Sequence, residues 1–253
     1  SYGVGFKLKP LQVIGKLESI KNIPGSASLI SSDLINQIKP LNTNELLRSV
    51  SGVSVRQEEG LGLRPNISIR GIYGNRTTKV LLLEDGIPIA LAPYGESSAY
   101  YSPQVDRIDR IEVLKGSGSI LHGPQTVGGV INYITPTPKS DPEVKLKYIT
   151  GSNQLQNVNL TLNGLFEDKG LTAQLMHKQG DGPRDHSPYR IDDVSAKLSI
   201  PLSLSSQLNT KVHYYNETSA STYTGLTSSL FSNTPGHNPA FNDRLYVERL
   251  GVS

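Results

Sequence analysis

From Pro142 onward the chain alternates apolar and polar residues with a period of two. Val144, Leu146 and Tyr148 alternate with Lys145 and Lys147, and Val158, Leu160, Leu162 and Phe166 with Asn157, Asn159, Thr161 and Asn163. The pattern returns at Leu171, Ala173 and Leu175, at Val194, Ala196, Leu198 and Ile200, and at Leu208, Thr210, Val212 and Tyr214. Such a period places successive side chains on opposite faces of a strand, one apolar and one wet. Five strands follow from it, and a run at residues 244–252 is ambiguous as a sixth. The connections expected between them are a turn at 151–154, a tight turn at 167–170, a longer loop at 179–190, a tight turn at 202–206 and a long loop at 216–242. Short and long ends alternate in this way in transmembrane β-barrels. The strands of a soluble β-sandwich also alternate, so periodicity alone leaves both architectures open.

The residues before Pro138 follow another grammar, with short apolar runs punctuated by Gly and Pro. Leu46, Leu47 and Val50 share one side of a helix beginning near residue 41, with Asn42, Thr43 or Asn44 as its cap and Gly52 as its end. Asn66 to Arg70 predicts a short strand. Val80 to Ile89 predicts a hairpin whose Asp85-Gly86 pair supplies the positive φ angles of the turn. Arg110 to Gly116 and Val130 to Thr135 predict two more strands. The fold expected is an α+β domain over residues 16–138, after an N-terminal segment at 1–15 and before barrel-type strands at 139–253.

Composition narrows the function classes. The formal charge is +3 with the two signs interspersed, which argues against a nucleic-acid binder. The absence of cysteine removes disulfides, thiolate metal sites and cysteine nucleophiles. No apolar run reaches the length of a membrane helix, so a membrane would be crossed by strands. The five histidines, His122, His177, His186, His213 and His237, form no pair at metal-ligand spacing, and Gly116-Ser-Gly-Ser119 has the flanks of neither a nucleophile elbow nor a phosphate loop. An enzyme is not expected.

The ordered series Leu46-Leu47-Arg48, Gly52-Val53, Ile67-Ser-Ile-Arg70-Gly71, Leu83-Glu-Asp85-Gly86-Ile-Pro88, Arg110-Ile-Glu112-Val-Leu-Lys115-Gly116, His122-Gly123-Pro124 and Gly128-Gly129-Val-Ile-Asn132 resembles the plug of TonB-dependent outer-membrane receptors. Ala92-Pro93-Tyr94-Gly95, Gly123 to Asn132 and Thr224-Gly225-Leu226-Thr227 are similar to segments of the ferric citrate receptor branch. The resemblance implies a plug followed by antiparallel transmembrane β-barrel strands in the bacterial outer membrane. Plugged transporters have roughly 22 strands, so five or six would be the first part of an incomplete barrel.

It also implies roles for particular residues. Leu11, Gln12, Val13, Ile14 and Gly15 resemble a TonB box, a β-prone run able to add to the edge of a partner's sheet; an ordinary first strand of the plug is the alternative. Arg70, Arg110 and Glu112 would lock plug to barrel by pairing with one another or with barrel carboxylates, since an unpaired buried charge is costly. Arg76, Thr77, Tyr94, Gly95 and Glu96 lie in two segments expected at the outer apices, where an anionic polycarboxylate chelate is best held by guanidinium forks and hydroxyls. Arg184, His186 and Arg190 are further candidates.

The function expected is import of a ferric chelate such as ferric dicitrate, with no covalent cofactor. TonB and its inner-membrane complex, outer-membrane lipid and the chelate would be its partners. A receptor of the same family for nickel, another metal chelate or haem is the nearest alternative. A soluble β-rich adhesin and a passive porin are rivals from other classes.

Overall fold

The computed structural model describes residues 25–57, 59–73, 75–89, 101–123, 125–203, 206–220 and 224–253, and these divide into two compact units between Pro136 and Thr137. The expected TonB box, Leu11 to Gly15, and the expected ligand residues Tyr94, Gly95 and Glu96 lie outside the described residues.

The first unit is built on a five-stranded mixed sheet. Its strands are β1 (Ser26–Ile30), β4 (Val80–Glu84), β5 (Ile87–Pro88), β6 (Arg110–Lys115) and β7 (Gly129–Ile134), in the order β1-β6-β7-β4-β5. β4 runs parallel to β7, and the remaining pairs are antiparallel. The central strands are apolar on both faces, as sheets covered on both sides require. Leu82, Ile111, Val113, Val130 and Ile131 are all fully buried. A separate hairpin pairs β2 (Val53–Gln57) with β3 (Pro65–Ile69).

Two helices precede that hairpin. α1 (Ser32–Ile38) is capped by Ser31, whose hydroxyl accepts from the Leu34 N–H, and the sequence reading missed it. α2 (Thr43–Leu47) is the expected helix, shorter than its apolar pattern suggested. Asn42 caps it by accepting from the N–H groups of Asn44 and Glu45 at 3.1 and 3.2 Å. Glu45 returns the favour to the chain before it, accepting from the Leu41 N–H. Leu46 and Leu47 are fully buried and Val50 nearly so.

Gly129 is required where β6 and β7 close. Its φ is +146°, and a Cβ there would stand 2.4 Å from the Leu114 carbonyl oxygen. The β4–β5 turn has the expected signature, with Asp85 at φ 51° and Gly86 at φ 84°.

The second unit is a six-stranded antiparallel meander of β8 (Glu143–Thr150), β9 (Gln156–Phe166), β10 (Lys169–Asp181), β11 (Pro188–Pro201), β12 (Gln207–Ser219) and β13 (Leu245–Val252), each paired with its chain neighbours. The ambiguous sixth run is therefore a strand, hydrogen-bonded to β12 from Val212↔Val252 to Ser219↔Leu245. The longer loop expected at 179–190 is corrected to 182–187. The ladder continues through Gln179↔Arg190 to Asp181↔Pro188, because backbone pairing does not end where apolar alternation does. The long connection, 220–244, contains α3 (Ser228–Asn233).

Burial on this sheet is inverted relative to a soluble sandwich. Leu175 is 47% exposed, whereas its neighbour Gln174 is 3% exposed. The same holds along the other strands: Val158, Val194, Leu198, Leu208 and Val212 are exposed, and Asn157, Asn159, Asp193, Ser195, Ser199, His213 and Glu217 are buried. The register aligns the outward residues into rows. Leu146, Leu160, Leu175, Val194, Tyr214 and Leu250 form one, and Val144, Leu162, Ala173, Ala196, Val212 and Val252 the next. From Leu160 to Phe166 the apolar face covers about 20 Å of strand at about 3.4 Å per residue. Toward the 182–187 loop the rows become more polar: one runs from Tyr148 and Val158 to His177, Asp192, Asn216 and Glu248, and the next through Thr150, Gln156, Gln179, Arg190, Thr218 and Tyr246. An apolar outward band bounded by polar rows, with a polar inner face, is the layout of an outer-membrane barrel wall.

Candidate functional site

In the first unit, three of the quoted motif segments join in one hydrogen-bond network. The Asp85 carboxylate accepts from the Thr135 N–H at 2.9 Å and from its hydroxyl at 2.7 Å. The Asp85 N–H donates to the Tyr133 carbonyl at 2.8 Å, and the Gly86 N–H to Asn132 Oδ1 at 2.9 Å. Asn132 Nδ2 then donates to Glu112 Oε2 at 3.4 Å, and Glu112 Oε1 lies 3.7 Å from Arg110 Nε. The tight turn after β4 is thereby tied through β7 to β6. Asn132 and Glu112 are buried, so the partners offset the cost of removing a carboxylate from water.

Of the three expected lock residues, Arg110 and Glu112 thus lie together on β6. Arg70 does not join them. It follows β3 at φ 54° and is exposed, with its guanidinium against the place where a Gly116 Cβ would sit. Its neighbour there is another cation, Lys115, whose Nζ donates to the Ser51 carbonyl and the Ser28 hydroxyl. Burial, and after it the charge of Arg70, pushes the Lys115 amine below the usual lysine range.

The apex segment rests on two adjacent residues with left-handed backbone, Arg76 at φ 47° and Thr77 at φ 58°. Both are uncommon for side chains with a Cβ, and the β-branched Thr77 especially so. The fold holds them by side-chain bonds to β3: Asn66 Oδ1 accepts from the Arg76 N–H at 2.5 Å, and the Thr77 hydroxyl accepts from the Ile67 N–H and donates to the Pro65 carbonyl, each at 3.0 Å. Thr77 is fully buried, and its hydroxyl braces the turn. Arg76 is half-buried on that brace. Of these two expected ligand residues, Thr77 thus lies inside the turn and Arg76 at its partly exposed side.

Two buried polar clusters escaped the sequence reading. Arg107 Nη2 donates to Glu84 Oε2 at 2.6 Å and to the Tyr101 hydroxyl at 2.7 Å, and that hydroxyl donates to the same carboxylate oxygen at 3.1 Å. Opposite charges this far apart in sequence have no spacing signature. The Glu59 carboxylate accepts from the N–H groups of Leu61, Leu63 and Arg64 at 2.5, 2.6 and 2.7 Å. Burial pushes this carboxyl above the usual range, against the pull of those donors. The signal available in sequence was Gly60 and Gly62, which let the chain curl around a side chain.

In the second unit, His186 lies in the 182–187 loop with its ring 6.0 Å from that of Phe241. Arg190, expected in the same loop, lies in β11. There it shares the Asp192 carboxylate with His177, at 3.0 and 2.6 Å.

Residues 19–130 match the family model described as TonB-dependent Receptor Plug Domain. The first unit is therefore a plug domain of the TonB-dependent receptor type, and the sheet after it has the architecture of outer-membrane barrel strands. The fold class is that of a plug followed by antiparallel strands of an outer-membrane barrel wall. The chain is 30% identical over 154 residues to the Vitamin B12 transporter BtuB of Vibrio vulnificus (strain CMCP6), a match over 61% of this chain and 25% of that protein. It thus spans about a quarter of that relative's length. In fold it is similar to the ferric citrate transporter FecA in the unliganded form, with a TM-score of 0.77 at 23% identity over 88% of this chain and 36% of the other. The ferripyoverdine receptor of Pseudomonas aeruginosa bound to ferripyoverdine superposes with a TM-score of 0.68 at 20% identity, over 78% of this chain and 26% of that one. These similar proteins are transporters and receptors.

Proposed function

We propose that the protein is a TonB-dependent importer of an anionic metal chelate, with ferric dicitrate as the first candidate. The observation that carries the reading is the plug network of Asp85, Gly86, Asn132, Glu112 and Arg110, which makes one physical unit of segments that resemble the family's motifs. The likeness in fold to a ferric citrate transporter supports the choice of first candidate. Arg76, raised on Thr77, is the plug's anion contact, with Tyr94, Gly95 and Glu96 in the companion apex. Arg110 and Glu112 lock the plug to the barrel, and Arg70 offers a second cation for barrel carboxylates. Leu11 to Gly15 is the segment that TonB captures by strand addition.

Uptake of radiolabelled iron by cells carrying the full-length receptor tests this. Citrate-dependent uptake that stops when the proton gradient collapses, or with Val13→Pro, while chelate binding persists, is the expected result; the proline removes a ladder donor. Uptake that survives loss of the gradient would indicate a passive porin. Cobalamin is the second reading, favoured by the 30% identity to a vitamin B12 transporter; labelled cobalamin taken up in place of ferric citrate would select it.

A further inference from the structure

The chain that leads from the first unit into the second is held on both sides of Pro136. On the plug side, Thr135 donates its N–H and its hydroxyl to the Asp85 carboxylate at 2.9 and 2.7 Å. On the strand side the clamp is the buried Asn163 of β9. Its Oδ1 accepts from the Lys139 N–H at 2.8 Å, and its Nδ2 donates to the Thr137 carbonyl at 2.9 Å. These two backbone groups flank Pro138, and they are the pair that a neighbouring antiparallel strand would bond. Residues 137–142 belong to no strand, so one side-chain amide stands in for a length of ladder.

The sheet is shaped to receive this segment. Gly170, which pairs with Leu165 in the β9–β10 ladder, lies against Pro138: a Cβ there would stand 2.6 Å from the Pro138 Cβ and 2.7 Å from its Cγ. Gly164 lies against Pro142 in the same way, with 3.2 Å left to the Pro142 Cα and Cβ. Pro136, Pro138 and Pro142 each fix φ and carry no N–H, so the segment has fewer donors to satisfy and less freedom to lose on docking. Lys139 Nζ lies 2.7 Å from Glu143 Oε2, but both side chains are largely exposed and such a pair adds little. Asn163 and the two glycines are what hold the segment down.

We propose that residues 137–142 are a fixed anchor, clamped to the strand wall by Asn163, so that the covalent connection between the two units has one unclamped residue, Pro136. The proposal rests on the importer reading only for its use: a plug displaced during import would be kept by this tether, with the load borne at Asn163. Trypsin supplies the test. It cuts after Lys139, whose side chain is 60% exposed, but cleavage requires the backbone on either side to leave its partners. The solubilised full-length receptor is digested, and scission between Lys139 and Ser140 is followed by mass spectrometry. The folded parent should resist there. Asn163→Ala should speed that cut roughly tenfold or more, and Gly170→Ala, which keeps the amide but pushes at Pro138, roughly fivefold. Asn157→Ala removes another buried asparagine of β9 away from the segment and should leave the rate unchanged. Rapid cutting of the parent, either strap variant cut at the parent's rate, or Asn157→Ala loosening the segment as much as Asn163→Ala would overturn the proposal. The assay needs no energised membrane. A loose segment in a receptor with energised uptake would remove the anchor and leave the importer; a clamped one without energised uptake would do the reverse.

Discussion

Leu82 and Leu175 are both leucines in the middle of a strand, yet one is fully buried and the other 47% exposed. Around Leu82 the neighbours on both faces are apolar, and buried charges in that plug core are paired or networked, as Glu84 is with Arg107 and Glu112 with Asn132. Around Leu175 the rule is reversed: the buried neighbours are Gln174, Asn159 and Asp193, and the apolar rows face outward. The same chemistry is sorted by two solvents. Water sets the plug's pattern, whereas hydrocarbon on one side sets the pattern of the strands.

The largest effect expected from breaking this contrast lies in the plug's buried ion pair. Glu84→Ala leaves the Arg107 guanidinium buried without its carboxylate and should destabilise the plug by about 3–5 kcal/mol, read by chemical denaturation. Next comes the outward face of the sheet. Leu175→Arg should cost about 2–4 kcal/mol in a lipid-refolded receptor, while Gln174→Leu, one residue away on the polar face, should change stability far less. If the two substitutions cost the same, the assignment of the lipid face fails. A smaller effect, about 1 kcal/mol, is expected for Asn42→Ala, which removes the cap of α2 and leaves the barrel strands untouched.

The smallest effect is a slope with pH. The folded-state pKa of Lys115 lies below its usual 10.5, so between those two values the unfolded chain binds more protons than the folded one. Plug stability should therefore rise with pH across that window, with the full penalty present below it. Lys115→Met should flatten the rise. Paired melting curves of parent and variant at neutral and alkaline pH check the sign.

Much of the architecture was legible because it follows from short-range rules. Alternation located β8 to β12, and the Asp85-Gly86 pair located a turn whose two positive φ angles it serves. The helix at Leu46 and Leu47 was legible from its buried side and its Asn42 cap. α1 was missed although Ser31 and the spacing of Leu34, Ile35 and Ile38 carried a signal, because none of those residues is deeply buried and the apolar pattern is weak. Strand length was misjudged at residues 179–190, where the ladder outruns the alternation. The candidate site was less legible. Arg76 and Thr77 were noticed as neighbours, but the burial of Thr77 depends on β3, ten residues earlier in the chain. The Asn163 clamp on Thr137 and Lys139 joins residues that the whole of β8 separates in the chain.

The neighbour-only order of β8 to β13 bears on how the two units form. Each of those strands pairs only with its predecessor and successor, so the sheet can grow one hairpin at a time, with every new strand finding its template already beside it. The plug has no such route. Its parallel β4–β7 pairing brings Val80 to Gly129, and closing it requires the intervening chain to have been made and arranged first. Of the two units, the plug has the less local topology, and mutations at the β4–β7 seam should register as slower assembly before they register as lost stability.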